Sequence, residues 1–154
     1  MSRDSKFPPK TAGVSTETLH VSTVAIDGRA VLIEGPSGAG KSDLALRLID
    51  RGAVLVSDDY TILIRNGETL LATAPVTIAG KIEVRGIGIV PMEHVERVPA
   101  ALVVRLAGGF DRMPLERMER KIAGIAIPEI TLDAHENAAP IKVELALRRI
   151  IAPA

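Results

Sequence analysis

The stretch Gly35 to Ser42, GPSGAGKS, sits between an apolar run, Arg29 to Glu34 (RAVLIE), and an apolar-periodic segment, Asp43 to Ile49 (DLALRLI). Strand, glycine-rich loop and helix in that order make it a Walker A phosphate-binding loop. The glycines let the backbone turn tightly and come close to an anion, so successive N–H groups and the helix N-terminus point at phosphate oxygens. The run Gly35, Pro36, Ser37, Gly38, Ala39, Gly40, Lys41 and Ser42 is therefore the expected nucleotide cradle. Lys41 is expected to reach the β- and γ-phosphates, and the Ser42 hydroxyl to ligate Mg²⁺. ATP and Mg²⁺ are the implied cofactors.

Composition narrows the rest. A chain of 154 residues, 47% apolar and 25% charged, fits one soluble domain with a real core. The 19 Lys and Arg balance the 19 Asp and Glu, and one Tyr and two Phe make no stacking platform, which argues against a nucleic-acid partner. With no cysteine there is neither disulfide nor thiolate chemistry. Residues 1–16 are polar and lack the apolar core of a signal peptide, and no apolar run approaches membrane-spanning length. The expectation is a cytoplasmic protein, no membrane partner, a flexible tail over 1–16, a single domain over 17–151 and a short tail over 152–154.

Outward from the loop, Glu17 to Ile26 alternates apolar and polar residues and reaches Asp27-Gly28, a hairpin signal leading into the strand before the loop. His20 is thus expected on a strand antiparallel and adjacent to the one that delivers the loop. The helix after the loop is expected to end near Arg51-Gly52. Ala53 to Val56 reads as a buried strand that stops at Ser57-Asp58-Asp59. An apolar strand ending in Asp places a carboxylate beside Mg²⁺ in phosphate-loop enzymes. Because side chains alternate along extended chain, Asp58 and Asp59 are expected to diverge and hold different jobs.

Asn66-Gly67 marks a second hairpin, between Tyr60 to Arg65 and Thr69 to Thr73, that reads as scaffold. In Gly80 to Pro91 (GKIEVRGIGIVP), Glu83 and Arg85 share one face if that part is extended, either as a surface ion pair or as site residues. Ala100 to Leu106 reads as a buried strand, Leu115 to Ala123 as a short helix, and Gly124 to Leu132 as a strand that Pro128 confines to an edge or bulge. Asp133 to Pro140 is a polar loop, and Ile141 to Ile151 a helix docked on the core with Pro140 in its first turn.

From about Glu17 to Ile151 the sequence resembles the catalytic domain of HPr kinase/phosphorylase, a bacterial serine kinase of the phosphotransferase system. His20 in TLHVSTV resembles the family's active-site histidine, and GPSGAGKSDLALRLIDRGAVLVSDD resembles its loop, helix and Asp-Asp stretch. Ile82 to Val90, IEVRGIGIV, resembles the family's signature segment, and Arg112 in FDRM matches a further active-site arginine. The resemblance implies an α/β P-loop kinase domain with a mixed sheet, its P-loop core like that of PEP carboxykinase. It further implies the short form without the common N-terminal domain, a hexamer, and an HPr-like phosphocarrier protein as partner.

The same resemblance implies roles. Asp59 is the base toward the acceptor serine, and His20 tunes or relays its proton. Ser42 and Glu83 hold Mg²⁺ with Asp58 supporting, and Lys41, Arg85 and Arg112 balance phosphoryl charge. One departure bears on direction: the family loop with a Pro-Val-Arg-Pro-Gly-Arg run, linked to dephosphorylation, corresponds here to Leu132 to Asn137, LDAHEN, without arginine. That implies a kinase with weak or absent phosphorylase activity. Two other readings are a small-molecule P-loop kinase and a catalytically silent nucleotide-sensing module. The first usually carries an arginine-rich lid, which no segment after the loop supplies; the second has no need of a base such as Asp59.

Overall fold

A computed structural model describes residues 15–107 and 118–151. The chain runs β1 (Thr16–Leu19), β2 (Val21–Ile26), β3 (Arg29–Glu34), α1 (Lys41–Asp50), β4 (Val54–Ser57), β5 (Thr61–Asn66) and β6 (Thr69–Thr73). A short 3₁₀ turn, Val76–Ile78, leads to β7 (Lys81–Val84), β8 (Gly88–Pro91), β9 (Val98–Leu106), β10 (Met118–Ile122), β11 (Ile125–Leu132) and α2 (Ala139–Ile151). Among the described residues, β1-β5-β6-β9-β3-β2-β4 is the strand order of the main sheet, with the β10–β11 hairpin attached through β11 to β9. β3 and β11 run parallel to β9 while β2 runs antiparallel to β3 and β4, so the sheet is mixed, as expected. β7 and β8 form a separate hairpin.

Alternation along the central strands sorts the core into two layers. Val31 and Ile33 of β3 and Leu102 and Val104 of β9 pack with Leu44 and Leu48 of α1 and Val143 and Leu147 of α2. Ala30, Leu32 and Val103, pointing the other way, meet Leu63, Leu70, Ala72, Ile122 and Ile127, so β5, β6 and the β10–β11 hairpin close over that face. A sheet covered on both faces needs near-continuous apolar strands, which is why RAVLIE and AALVVRL carry so little polarity. The two helices are joined by the Arg51–Glu144 ion pair, with Nε at 3.0 Å and Nη2 at 2.9 Å from the carboxylate. That pair raises the Arg51 pKa through hydrogen bonding and charge attraction.

Three expectations are corrected. Glu17 to Ile26 is two strands broken at His20: β1 is mostly exposed and pairs with β5, whereas β2 is buried and pairs with β3 and β4. Met118–Ile122, expected within a helix, is β10. MERKI is rich in helix formers, but Ala123 and Gly124 adopt positive φ (50° and 83°) and turn the chain back, so pairing with β11 outweighs local propensity. Arg85 lies in the turn of the β7–β8 hairpin and does not continue the strand of Glu83.

Other readings stand. Asp27-Gly28 and Asn66-Gly67 connect antiparallel strands, and α2 begins at Ala139 with Pro140 in its first turn. At Pro128, β11 pairs only with β10, because its pairing with β9 starts at Glu129. The proline's missing N–H therefore falls where the strand has one neighbour.

Candidate active site

β3 delivers the phosphate loop and α1 leaves it. Gly38 and Gly40 adopt φ of +83° and +100°, a region L residues rarely enter. Gly40 is also a close approach: a Cβ there would lie 3.2 Å from the Ala134 Cβ, so the loop after β11 leans on the phosphate loop. No side chain caps the N-terminus of α1, which leaves its first N–H groups to an incoming anion. Lys41 is buried, 7% exposed, with Nζ donating to the Gly35 carbonyl at 2.8 Å and to that of Pro36 at 3.4 Å. The ammonium is thereby stationed inside the curl of the loop.

At the end of β4 the two aspartates separate. Asp58 is 7% exposed. Its Oδ1 accepts from Ser42 Oγ (2.7 Å) and Ser22 Oγ (2.8 Å), and its Oδ2 from the Glu83 backbone N–H (3.0 Å). One carboxylate thus ties together the phosphate-loop helix, β2 and β7, and these hydrogen bonds offset the cost of burying its charge. Asp59 points outward, its side chain 59% exposed, with Oδ1 2.7 Å from His20 Nε2. Its φ of +74° costs on the order of 1 kcal/mol for a non-glycine residue. The turn that holds it there is pinned by Ser22 Oγ accepting the Asp59 N–H (3.2 Å), by Tyr60 N–H to the Asp58 carbonyl (2.8 Å) and by Ser57 Oγ to the Tyr60 carbonyl. The His20 ring stacks on Tyr60, centroids 4.8 Å apart and 18° from parallel.

Hydrogen bonds therefore join Ser42 to Asp58 and His20 to Asp59, with Ser22 bridging the two pairs and Glu83 attached through its backbone N–H. The Glu83 side chain and Arg85 are exposed, and no ion pair joins these two residues. Arg112 lies outside the described residues. Among the described residues no three His, Asp or Glu side chains cluster as a metal cage, and a phosphate-loop Mg²⁺ needs none, since it is held by one or two side chains plus substrate phosphates.

The sequence reading missed Ser22, Tyr60 and Glu34. Ser22 was hidden because its strand looked half-exposed, whereas β2 is buried on both faces and its hydroxyl needs a partner. Glu34, the residue before the loop, is clamped by Arg120: Nη1 donates to Oε2 at 3.0 Å and Nη2 to Oε1, while Arg120 Nε lies 3.1 Å from Glu129 Oε1. Hydrogen bonding from Arg120 holds the Glu34 carboxyl below its ordinary value against the opposing effect of burial, and the Arg120 pKa is raised in turn.

The family model of the HPr Serine kinase C-terminal domain matches residues 13–151. The chain belongs to that family. It is 40% identical over 130 residues to the HPr kinase/phosphorylase of Alkaliphilus metalliredigens, which covers 76% of this chain and 42% of the relative. The HPr kinase/phosphorylase of Burkholderia lata is 34% identical over 148 residues, 87% of this chain and 46% of the relative. The HPr kinase C-terminal domain seen here thus spans less than half the length of the curated relatives it matches. Among solved structures, the Hpr(Ser) kinase/phosphatase from Coxiella burnetii superposes with a TM-score of 0.76 at 31% identity, covering 86% of this chain and 89% of that one.

Proposed function

We propose that this chain is an ATP- and Mg²⁺-dependent protein-serine kinase that phosphorylates an HPr-like phosphocarrier of the phosphotransferase system. The observation that carries the reading is the split of adjacent carboxylates: Asp58 is buried against the phosphate-loop hydroxyl, and Asp59 is exposed and paired with His20. Family membership supports the activity class, and the exposure of Asp59 suits an acceptor hydroxyl carried on a macromolecule.

Bound Mg²⁺ and ATP would supply an electrophilic γ-phosphoryl group with part of its charge neutralised. The glycine-rich loop and the open N-terminus of α1 would hold the phosphates, with Lys41 leaving its carbonyl partners to face them. Ser42 and Asp58, joined at 2.7 Å, would hold the metal from the protein side, with Glu83 on the adjoining strand. Asp59 would take the proton of the acceptor serine, with His20 orienting the carboxylate and passing the proton toward solvent. Arg85 and Arg112 would balance charge on the transferring group. A cytoplasmic homo-hexamer is the assembly the family resemblance favours.

The test is incubation with HPr-like phosphocarriers, Mg²⁺ and ATP, followed by mass mapping of phosphoserine. Absence of transfer to every such carrier, from protein that binds the nucleotide, refutes the protein-kinase reading.

A further inference from the structure

Ser22 stands out among the buried polar groups because one hydroxyl serves both aspartates. It is 0% exposed, donates to Asp58 Oδ1 at 2.8 Å and accepts the Asp59 backbone N–H at 3.2 Å. The first contact leaves Asp58 Oδ1 shared between Ser22 and Ser42, which fixes the plane of the carboxylate against the phosphate loop. The second holds the amide of a residue strained at φ +74°, whose side chain then reaches His20. β2 supplies a rigid base for both, since it is flanked by β3 and β4 and its neighbour Thr23 is locked to Thr61 through their hydroxyls at 2.8 Å.

We propose that Ser22 is a positioning residue that sets the metal-side carboxylate and the proton-accepting carboxylate relative to each other through a single buried hydroxyl. The inference rests on the kinase reading for the roles of Asp58 and Asp59, while its geometry stands without it. Replacing Ser22 by Ala removes a donor to Asp58 and strands the Asp59 N–H, so both carboxylates lose their fixed orientation together. Threonine keeps the hydroxyl and suits a strand.

The experiment compares wild type, Ser22→Ala and Ser22→Thr in three measurements. Amide exchange at Asp59 is followed by NMR without ligand; ATP affinity is titrated calorimetrically against MgCl₂; and kcat and KM are measured with a phosphocarrier. In Ser22→Ala, exchange at Asp59 should quicken at least about fivefold, the loss of one hydrogen bond. The Mg²⁺ needed for half-maximal ATP binding should rise about tenfold, and kcat should fall about 10- to 100-fold with KM for the carrier within about threefold. Ser22→Thr should restore all three. Should Ser22→Ala fail to fold, Ser22→Cys, of similar size with a weaker hydrogen bond, carries the same expectations with smaller changes.

Unchanged Asp59 exchange and Mg²⁺ dependence in folded Ser22→Ala overturns the proposal, as does an equal defect in a Ser22→Thr variant that melts like wild type, the buried site having then accepted the added methyl. So does quickened exchange with wild-type kcat in an active enzyme. A wild type that transfers no phosphoryl group, with exchange and Mg²⁺ dependence moving as stated, refutes the kinase reading and supports the positioning role.

Discussion

Ser42 Oγ and Asp58 Oδ1 lie 2.7 Å apart, the first residue at the start of α1 and the second just past the end of β4. The loop hydroxyl is thus aimed by a buried carboxylate that three elements of the fold hold in place. Its neighbour Asp59 shares none of that burial, and the contrast makes the two positions separable by experiment.

Asp59→Asn should retain the fold and bind Mg²⁺ and ATP about as wild type, yet lose about 10²- to 10⁴-fold in phosphoryl transfer, because an amide accepts no serine proton at neutral pH. Asp58→Asn should instead lower thermal stability, since an amide aims NH₂ at donors from Ser22, Ser42 or Glu83, and should weaken Mg²⁺-dependent ATP binding. Thermal melts, calorimetry and initial rates on both variants check this. Reversal of the two phenotypes would exchange the roles assigned to the pair.

Lys41→Ala should weaken ATP binding by about tenfold or more, because a phosphate cluster loses its fixed cation. The Gly35 and Pro36 carbonyls that Nζ now satisfies would lose that partner as well, so a small fall in the melting temperature without ligand should accompany it. Calorimetry with ATP and Mg²⁺ measures the first effect and a thermal melt the second. Undiminished affinity would sink the phosphate-loop assignment.

The Glu34–Arg120 clamp predicts how stability responds to acid. Arg120 holds the folded Glu34 pKa below its unfolded value, so this pair's contribution is full above the ordinary carboxylate range, near pH 4.3, and is lost as pH falls through the lower folded value. Glu34→Gln should therefore be less stable than wild type at neutral pH, by about 1 to 2 kcal/mol for a part-buried charged pair, with the gap narrowing toward pH 3. Denaturant titrations across pH 3 to 7 read this directly. A gap that does not change with pH would mean that packing, and not charge, supplies the difference.

Arg47 ties α1 to the loop after β11, with Nη1 3.3 Å from the Glu136 carbonyl, Nη2 on the Ala134 carbonyl and Nε 3.1 Å from Asp43 Oδ2. Ala134 is the residue that leans on Gly40. Arg47→Ala should quicken amide exchange in residues 133–138 and lower the melting temperature by a few degrees, about 1 kcal/mol. Exchange confined to wild-type rates there would show that the loop holds itself.

Most of the sheet was legible because the two turn signals and the apolar runs are local and agree with the fold. Val31, Leu32, Ile33 and Leu102 to Val104 are apolar on both faces, and the Gly35 to Ser42 spacing fixes strand, loop and helix in order. Alternation predicts the split between Asp58 and Asp59, but the structure makes it with a turn past β4 in which Asp59 takes a φ of +74°. What stayed hidden depended on partners far along the chain: β10 on its pairing with β11, Ser22 on a carboxylate 36 positions away, and Glu34 on an arginine 86 positions away. The shared face of Glu83 and Arg85 required an extended chain, and Arg85 falls instead in a hairpin turn set by the pairing of β7 with β8.

Direction is the remaining consequence of the loop at 133–138. In the proposed mechanism forward and reverse transfer would share Lys41, Asp59 and Glu83, but attack of orthophosphate on phosphoserine would bring a second anion to the site. In this chain that loop presents Asp133, whose Oδ1 accepts the His135 N–H at 2.9 Å, and Glu136, whose charge Lys142 offsets at 2.7 Å. Asp133 has no cation partner among the described residues, and within about 4 Å of a phosphate its charge would oppose the anion by about 1 to 4 kcal/mol depending on the effective dielectric. That corresponds to roughly fivefold to several hundredfold in rate. The chain should therefore phosphorylate its carrier at least about fivefold faster than it releases pyrophosphate from phosphoserine carrier and excess phosphate, and Asp133→Asn should raise the reverse rate while leaving the forward one within about twofold. Equal forward and reverse rates in wild type, or an Asp133→Asn variant with no gain, would show that cations elsewhere supply the phosphate site.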